Sequence, residues 1–234
     1  MLTTDTTLEL RVSGRRIRVP LAEGDRLQVV RRAESRPERF LWLPKQRHIP
    51  GFYWAATNRG FVPYESQLER GRVVLADFDH TVSRIISQPF DMIANGQTYQ
   101  IPDFMLLHVD ARVTIVNVKR PEDAAKPKVR KQFARVTRAL SEVGWTHEIW
   151  TGDARPFARN VEHLSAYMRP QLALDLAVEP AALHGLSIGT AVQALERIVG
   201  EDARPQIGAA LWRHELLTDL SVPLSEASIL WAAA

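Results

Sequence analysis

Two apolar runs joined by a polar pair dominate residues 102–121. Residues 104–109 and 112–119 are apolar or β-branched at most positions, and Asp110-Ala111 lies between them. Because β-branched side chains pack well on a pleated strand, this pattern predicts two short strands connected by a turn. Polar residues mark the ends of both strands, and Asp103 stands at the start of the first.

Upstream of this hairpin, the hydrophobic pattern predicts further strands and one helix. Residues 8–19 alternate in type around Ser13-Gly14, which is typical of a hairpin, and residues 26–33 are compatible with another strand. The aromatic, proline and glycine residues of segment 35–64 predict loops and short strands packed on a core. Apolar side chains repeat at helical spacing in residues 65–79, which predicts an amphipathic helix with acids near its start.

The remaining pattern completes an α/β arrangement. Residues 81–89 predict a strand, and Asn95-Gly96 predicts a tight hairpin turn. Beyond the central hairpin, residues 128–143 predict a basic helix, residues 145–151 a strand, and residues 156–168 another helix. The order helix, three strands, helix, strand predicts a mixed sheet flanked by helices.

The C-terminal part has a different pattern. Two short helices separated by residues 200–205 are followed by a short strand, which is typical of a winged helix. Such a unit binds DNA or another protein. Residues 206–217 carry only Arg213 and His214 as cations, against Glu215. Because a DNA-recognition helix is usually more basic, we favour protein docking.

The composition is typical of a soluble globular protein. The chain has 234 residues, of which 45% are hydrophobic and 24% charged. No apolar run approaches the ~20 residues of a membrane span, and the N-terminus lacks a secretory pattern, so we expect a cytoplasmic protein. The chain has no cysteine, which excludes disulfides, cysteine-ligated zinc and thiol nucleophiles.

Positive charge is concentrated directly after the central hairpin. Residues 119–138 hold eight basic and two acidic side chains, a net charge of +6, whereas the whole chain carries +3. A basic face at this position suits a polyanionic substrate, although a solvated helix face is the alternative. Trp42 and Trp54 are candidates for stacking on DNA bases, but burial explains them more simply. The best candidates for DNA backbone contacts are Lys128, Arg130, Lys131, Arg135 and Arg138.

The ends of the two central strands carry candidate chemistry for phosphodiester hydrolysis. This reaction needs a metal that polarises the phosphate and activates water, and Mg²⁺ prefers oxygen ligands. We expect Asp103 to be the bridging carboxylate, with the side-chain oxygen of Asn117 and the backbone carbonyl of Val118 as further ligands. Lys119 follows Asn117 by two residues, so it lies on the same face and can hold water or phosphate. Glu69 from the preceding helix would complete the site.

The sequence lacks the motifs of several other classes of enzyme. No pair among the seven histidines has metal-ligand spacing on one helix face, which argues against zinc. The chain has no Gly-x-x-x-x-Gly-Lys loop for ATP and no nucleophile-elbow motif for a serine hydrolase.

Five sequence blocks resemble the TnsA family, the endonuclease subunits of heteromeric DNA transposases. The similarity covers residues 61–151, and the order and spacing of the blocks agree with that family. The blocks are Tyr64-Glu-Ser-Gln-Leu-Glu-Arg, Asp77-Phe-Asp, Gln88-Pro-Phe, Ile101-Pro-Asp-Phe and Val116-Asn-Val-Lys-Arg-Pro.

The resemblance implies a restriction-endonuclease-like fold that uses Mg²⁺, for which Mn²⁺ can substitute. It implies cleavage of the 5′ ends at transposon termini, beside a DDE-type transposase that cuts the 3′ ends. The C-terminal part would dock to an ATP-dependent regulator, and the protein would join the bacterial nucleoid when active. The expected domains are a β-rich extension packed on the core (1–60), the nuclease (61–168) and a winged-helix-like unit (169–234).

The resemblance also implies roles for particular residues. The catalytic glutamate falls on Glu69, with Glu65 as a lesser candidate four residues earlier on the same helix face, and the catalytic aspartate falls on Asp103. Asn117 stands where a glutamate or glutamine is usual, and Lys119 matches the lysine. Because asparagine is shorter and neutral, a catalytically weakened assembly adaptor is one alternative. A stand-alone nuclease of repair or defence is another.

Overall fold

The computed structural model describes residues 6–21, 29–30, 32–35, 49–153, 155–168 and 174–233. The chain is mixed α/β and divides into two compact units, residues 1–152 and 153–234. No helix in the described ranges is long and apolar enough to cross a membrane.

The first unit contains two four-stranded sheets, a separate hairpin and helices. Its strands are β1 (Thr7–Val12), β2 (Arg15–Pro20), β3 (Gly51–Ala55), β4 (Gly60–Tyr64), β5 (Val82–Ser87), β6 (Asp91–Ala94), β7 (Gln97–Gln100), β8 (Phe104–His108), β9 (Val113–Val118) and β10 (Thr146–Trp150). Its helices after β4 are α1 (Gln67–Phe78), α2 (Pro121–Ala124) and α3 (Pro127–Ser141).

One sheet carries the central hairpin. Its strand order is β10-β9-β8-β5, in which β9 and β10 run parallel and the other pairs are antiparallel. In the β8–β9 hairpin, Phe104 pairs with Val116 and Leu107 with Val113. Every residue of β9 is buried, as expected for a central strand covered on both faces. The predicted mixed sheet with a central hairpin is therefore confirmed.

The second sheet has the order β2-β1-β6-β7, and both of its predicted hairpins are confirmed. Their turns have positive φ at two successive residues, 49° and 78° at Ser13 and Gly14, and 50° and 73° at Asn95 and Gly96. Two positive φ values match the right-handed twist of the flanking strands. Because β1 also pairs with β6, the N-terminal hairpin is part of the first unit's sheet structure.

The core of the first unit joins both sheets to α3. Buried apolar residues of β1, β6, β8 and β9 pack together, and the predicted apolar stripe of α3, including Val136 and Leu140, lies against them. Phe90 stacks on Trp145 with ring centroids 6.1 Å apart. Burial of such large side chains stabilises a fold by about 1.5–3 kcal/mol each.

A buried carboxylate holds the β3–β4 hairpin to α1. Asp77, near the C-terminal end of α1, is only 5% exposed. Its carboxylate accepts hydrogen bonds from the Tyr53 hydroxyl at 3.0 Å and from the backbone N–H groups of Ala56 and Thr57 at 3.1 and 2.7 Å. Burial raises the pKa of Asp77, and these hydrogen bonds oppose the rise. The other side of α1 is tied to β10 by a bidentate ion pair between Arg72 and Glu148.

The second unit is mainly helical. It contains α4 (Arg155–Ser165), α5 (Ile188–Val199), α6 (Ala203–Trp212) and the short antiparallel strands β11 (Leu216–Leu217) and β12 (Trp231–Ala232), with 3₁₀ turns at Ala166–Met168, Pro180–Leu183 and Gly200–Asp202. The predicted order of two helices and a short strand is confirmed. Asn160 of α4 holds the segment after β11, donating to the Leu220 and Val222 carbonyls and accepting from the Leu224 N–H.

Two features of the structure differ from the sequence-based expectations. Residues 29, 30 and 32 are helical, so the strand expected over residues 26–33 is wrong in its described part. Val29 and Ala33 lie four residues apart, are joined by a 2.9 Å backbone hydrogen bond, and both enter the core, which a helical turn permits. The division between the units falls after Gly152 rather than at residue 168, because α4 packs against α6. Trp42 lies outside the described residues.

Candidate active site

The N-terminus of α1 orients Glu69. Ser66 is the N-cap, and its hydroxyl accepts from the Glu69 N–H at 3.2 Å and donates to Glu69 Oε1 at 2.9 Å. Glu69 Oε2 accepts from the Glu65 N–H at 2.8 Å. This is a variant of the capping box. The expectation that Glu65 and Glu69 share a helix face is wrong, because Glu65 precedes the cap and the helix begins at Gln67.

The end of β9 orients Asp103. The Asp103 N–H donates to the Val116 carbonyl at 3.0 Å, which places the residue at the entry to β8. Its Oδ2 accepts from the Val118 N–H at 2.7 Å and faces the Asn117 amide nitrogen at 3.4 Å. The hydrogen bonds to the carboxylate therefore converge on one oxygen, and Oδ1 takes none from the described residues.

Asn117 is held between Asp103 and a histidine that the sequence did not indicate. Asn117 is only 2% exposed. Its Oδ1 lies 3.0 Å from His147 Nε2, and its amide nitrogen faces the Ile101 carbonyl at 3.4 Å. On the far side of the ring, His147 Nδ1 lies 2.8 Å from Thr137 Oγ1. In this arrangement the Asn117 oxygen points towards His147 and not towards the Asp103 carboxylate.

Lys119 lies just beyond the end of β9 with an exposed side chain. Its N–H donates to the Trp150 carbonyl at 3.0 Å, so the backbone there continues the parallel pairing with β10. The positive charge of Lys119 is near enough to Asp103 to oppose the rise in the pKa of that carboxyl group. The strand ends therefore bring Asp103, Asn117 and Lys119 to one place.

Burial makes both carboxylates hard to ionise. The pKa of Glu69 is raised to about 7, first by burial and then by the negative charge of Asp103. The pKa of Asp103 is raised to about 6 by burial, against the hydrogen bonds from Val118 and Asn117. Two poorly solvated acids that repel each other create a location that favours a cation.

Gln88 connects Glu65 to this site. Its side-chain amide donates to Glu65 Oε1 at 2.6 Å, and its backbone N–H donates to the Asp103 carbonyl at 2.8 Å. Gln88 has a φ of 46°, which is strained for a residue other than glycine. Its own Oε1 is buried and has no hydrogen-bond partner among the described residues. Strain and an unsatisfied buried acceptor are features that cluster at functional sites.

The residues present fit a magnesium ion. Within the described part of the chain, no group of three or more histidine, aspartate or glutamate side chains is gathered around a metal position. Mg²⁺ usually binds one or two carboxylates and completes its shell with water and substrate phosphate. Glu69 and Asp103 supply two carboxylates, and a divalent cation would offset the cost of ionising both.

Four of the five predicted DNA-contact residues share one face of α3. Their spacing of three, four and three residues places them along one stripe, whereas Arg130 lies on another side of the helix. This basic face consists of Lys128, Lys131, Arg135 and Arg138, all exposed. The Arg135 guanidinium lies 4.0 Å above the centre of the Tyr99 ring. Gln132 also ties α3 to β7 through the Tyr99 carbonyl at 2.7 Å.

In the second unit, the cations expected near α6 offer little to DNA. Residues 206–212 of α6 are buried. Arg213 forms two hydrogen bonds to the Glu215 carboxylate, at 2.7 and 3.1 Å, and also donates to the Leu174 carbonyl. A helix that is buried over residues 206–212 and followed by a paired arginine is poorly suited to reading a DNA groove.

The comparisons with known proteins assign no family to this chain. No protein-family model matches it. No curated protein matches it either. The similarity of the five sequence blocks to the TnsA family remains a prediction, and the functional interpretation rests on the geometry of the site.

Proposed function

We propose that this chain is a Mg²⁺-dependent DNA endonuclease with a restriction-endonuclease-like core. It would act as one subunit of a transposase, cleaving the 5′ ends at transposon termini beside a DDE-type partner that cuts the 3′ ends. One observation carries the proposal. Two half-buried carboxylates come from separate elements, Glu69 of α1 and Asp103 at the entry to β8. Asp103 lies close enough for its charge to raise the pKa of Glu69, and Lys119 lies close enough to Asp103 to oppose the rise in the pKa of that group.

Each residue of the site has its own role in the hydrolytic reaction. Glu69 and Asp103 would hold Mg²⁺, which when bound acts as a Lewis acid and lowers the pKa of a coordinated water. Lys119 stabilises the negative charge that develops on the phosphate, or orients the attacking water. The water oxygen forms a bond to phosphorus, the bond to one bridging oxygen breaks, and the leaving oxygen takes up a proton. The basic face of α3 holds the DNA backbone.

A nicking assay on transposon-end DNA, with the neighbouring DDE transposase added and omitted, tests this function. We expect Asp103→Asn to abolish 5′ cleavage, because the carboxylate that binds the cation is lost while the acceptor for the Val118 N–H remains. Asp110→Asn is the matched control, since Asp110 lies exposed in the turn at the other end of the same hairpin. Normal 5′ cleavage by Asp103→Asn would refute the site assignment.

A catalytically weakened assembly adaptor is the second candidate. The observation that favours it is the orientation of Asn117, whose oxygen lies 3.0 Å from His147 Nε2. A calorimetric titration with Mn²⁺ separates the two functions. No heat of binding at millimolar metal, together with normal binding of the transposase partner, would favour the adaptor. Binding of Mn²⁺ that Asp103→Asn abolishes would favour the enzyme.

We further propose that the second unit is winged-helix-like and docks to a protein, the ATP-dependent regulator of transposition. The burial of residues 206–212 of α6 argues against DNA reading by this helix, and therefore favours protein docking. Leu217 and Trp231 pair across β11 and β12 and are 42% and 41% exposed, which gives the ribbon an apolar contact surface. We expect Trp231→Ala to weaken regulator binding and leave cleavage by the chain and its transposase partner unchanged. Equal regulator affinity in both proteins would refute this surface.

A further inference from the structure

A chain of hydrogen bonds runs from α3 through β10 to the candidate site. Thr137 Oγ1 lies 2.8 Å from His147 Nδ1, and His147 Nε2 lies 3.0 Å from Asn117 Oδ1. The Asn117 amide nitrogen in turn faces Asp103 Oδ2 at 3.4 Å. The chain therefore ends on a carboxylate of the proposed cation site.

The Asp103 end of this series of hydrogen bonds determines which group donates and which accepts at each step. An ionised carboxylate and a backbone carbonyl can only accept hydrogen bonds, and Asn117 faces both Asp103 Oδ2 and the Ile101 carbonyl. The NH₂ group of Asn117 must therefore face them, which leaves Oδ1 towards His147. Because Oδ1 is also only an acceptor, His147 Nε2 must carry the proton, whatever the charge on the ring.

The other side of the imidazole is consistent with this direction. Burial lowers the pKa of His147 to about 4, so near pH 7 the ring is neutral and Nδ1 is an acceptor. The Thr137 hydroxyl can then donate to Nδ1. The Phe133 carbonyl lies 2.9 Å from the same hydroxyl and is a second possible acceptor. This carbonyl already accepts the helical N–H of residue 137, so it does not need the hydroxyl proton.

The His147 ring is held in place by packing as well as by hydrogen bonds. The Phe133 ring stands edge to face against it, with centroids 5.7 Å apart and an interplanar angle of 77°. Parallel pairing of β10 with β9 sets His147 opposite Ile115, two residues before Asn117 on the same strand. Each atom of the imidazole that can form a hydrogen bond thus has a defined partner.

We propose that His147, as its Nε2–H tautomer, is a positioning residue that holds Asn117 as a hydrogen-bond donor to Asp103. Asn117 then acts through Asp103 and is not a direct ligand of the cation. Asp103 Oδ2 is occupied by the Val118 and Asn117 donors, and Oδ1 is presented to the cation. The proton on Nε2 follows from the geometry alone, whereas its consequence for the cation rests on the proposed function.

The first experiment reads the tautomer directly. Long-range ¹⁵N–¹H correlation spectra of the full-length, metal-free protein at pH 7 distinguish a protonated ring nitrogen from a bare one. Assignment of the His147 signals follows from their loss in His147→Gln. We expect the proton on Nε2. A His147 signal with the proton on Nδ1 would overturn the proposal, because Nε2 would then have no proton to donate to Asn117.

The second experiment measures the Mn²⁺ dissociation constant by calorimetry in two variants. His147→Phe keeps a ring against Phe133 but removes the donor, whereas His147→Gln keeps an N–H group near the Nε2 position. We expect His147→Phe to weaken Mn²⁺ binding by about 10-fold, the usual effect of losing a group that orients a ligand, and His147→Gln to restore most of it. Thermal unfolding of both variants checks that the fold is intact.

A direct ligand role for Asn117 predicts the opposite sign. In that case His147→Phe would release Oδ1 for the cation, and Mn²⁺ would bind equally well or more tightly. Either result would overturn the positioning role. If the unaltered protein binds no Mn²⁺, the proposed function fails, and the tautomer alone then decides whether His147 orients Asn117.

Discussion

The negative charge of Asp103 adds to burial in raising the pKa of Glu69 to about 7. A carboxyl group whose pKa is raised on folding stabilises the folded state fully only below its unfolded pKa, here near 4.5. That stability is lost as the pH rises through about 7. The metal-free protein therefore holds a destabilising pair of acids at neutral pH.

Replacing Glu69 should relieve this destabilisation. We expect Glu69→Gln to increase the free energy of unfolding at pH 8 by about 1–3 kcal/mol, and to change it little at pH 4.5. Glutamine retains an oxygen that can accept from the Glu65 N–H, so the helix cap survives. Urea unfolding at both pH values provides the measurement, and Glu196→Gln, on an exposed position of α5, serves as the control. A gain of equal size at both pH values would contradict this explanation.

Metal binding should offset the destabilisation of the fold that the two acids cause. We expect Mg²⁺ or Mn²⁺ to raise the melting temperature, by mass action on the folded state, and EDTA to reverse the rise. The effect should be larger at pH 8 than at pH 6, because the carboxyl groups of Glu69 and Asp103 must lose their protons to bind the ion. Differential scanning fluorimetry of the wild type, Asp103→Asn and Asp110→Asn checks this, and only Asp103→Asn should lose the response.

The basic face of α3 should contribute to DNA affinity without sequence preference. Neutralising Lys128, Lys131 and Arg138 together should weaken binding to all duplexes alike. A plot of the logarithm of the DNA association constant against the logarithm of the salt concentration should become less steep, by about 0.9 for each phosphate contact that is lost. Fluorescence anisotropy over a salt series measures this slope. Arg130→Gln is the control, because Arg130 lies off the stripe. A change of slope with Arg130→Gln as large as that with the stripe variant would disprove the proposed orientation of α3 on DNA.

Gln88 should couple strain to activity. Glycine adopts a positive φ without a steric penalty, so Gln88→Gly should be more stable than Gln88→Ala by about 1 kcal/mol. Both variants lose the hydrogen bond to Glu65, and we expect both to reduce cleavage. Chemical unfolding should therefore distinguish the two variants, whereas the nicking assay should show reduced cleavage for both. Equal stability of the two would indicate that the backbone at residue 88 is not strained.

Local patterns in the sequence predicted most of the fold. Hairpins at Ser13-Gly14 and Asn95-Gly96 follow from residues that tolerate positive φ, and α3 follows from its apolar stripe. The start of α1 was also encoded locally, since Ser66 and Glu69 form the Ser-x-x-Glu pattern of a capping box. Reading that signal would have placed Glu65 outside the helix.

Other parts of the site depend on contacts between distant segments. His147 lies 30 residues from Asn117, and the two meet only because β10 pairs in parallel with β9 in one particular register. A one-residue shift of this register would turn His147 to the opposite face of the sheet. The unsatisfied oxygen of Gln88 is equally invisible in the sequence, because burial is a property of the whole fold.

Helix α1 carries a functionally placed carboxylate near each of its two ends. Glu69 lies in its first turn, and Asp77, near its last, holds the turn of the β3–β4 hairpin. Eight residues separate them, which is about 12 Å along the helix axis. The β3–β4 hairpin and the candidate catalytic carboxylate are therefore attached near opposite ends of one helix, which Arg72 also ties to β10.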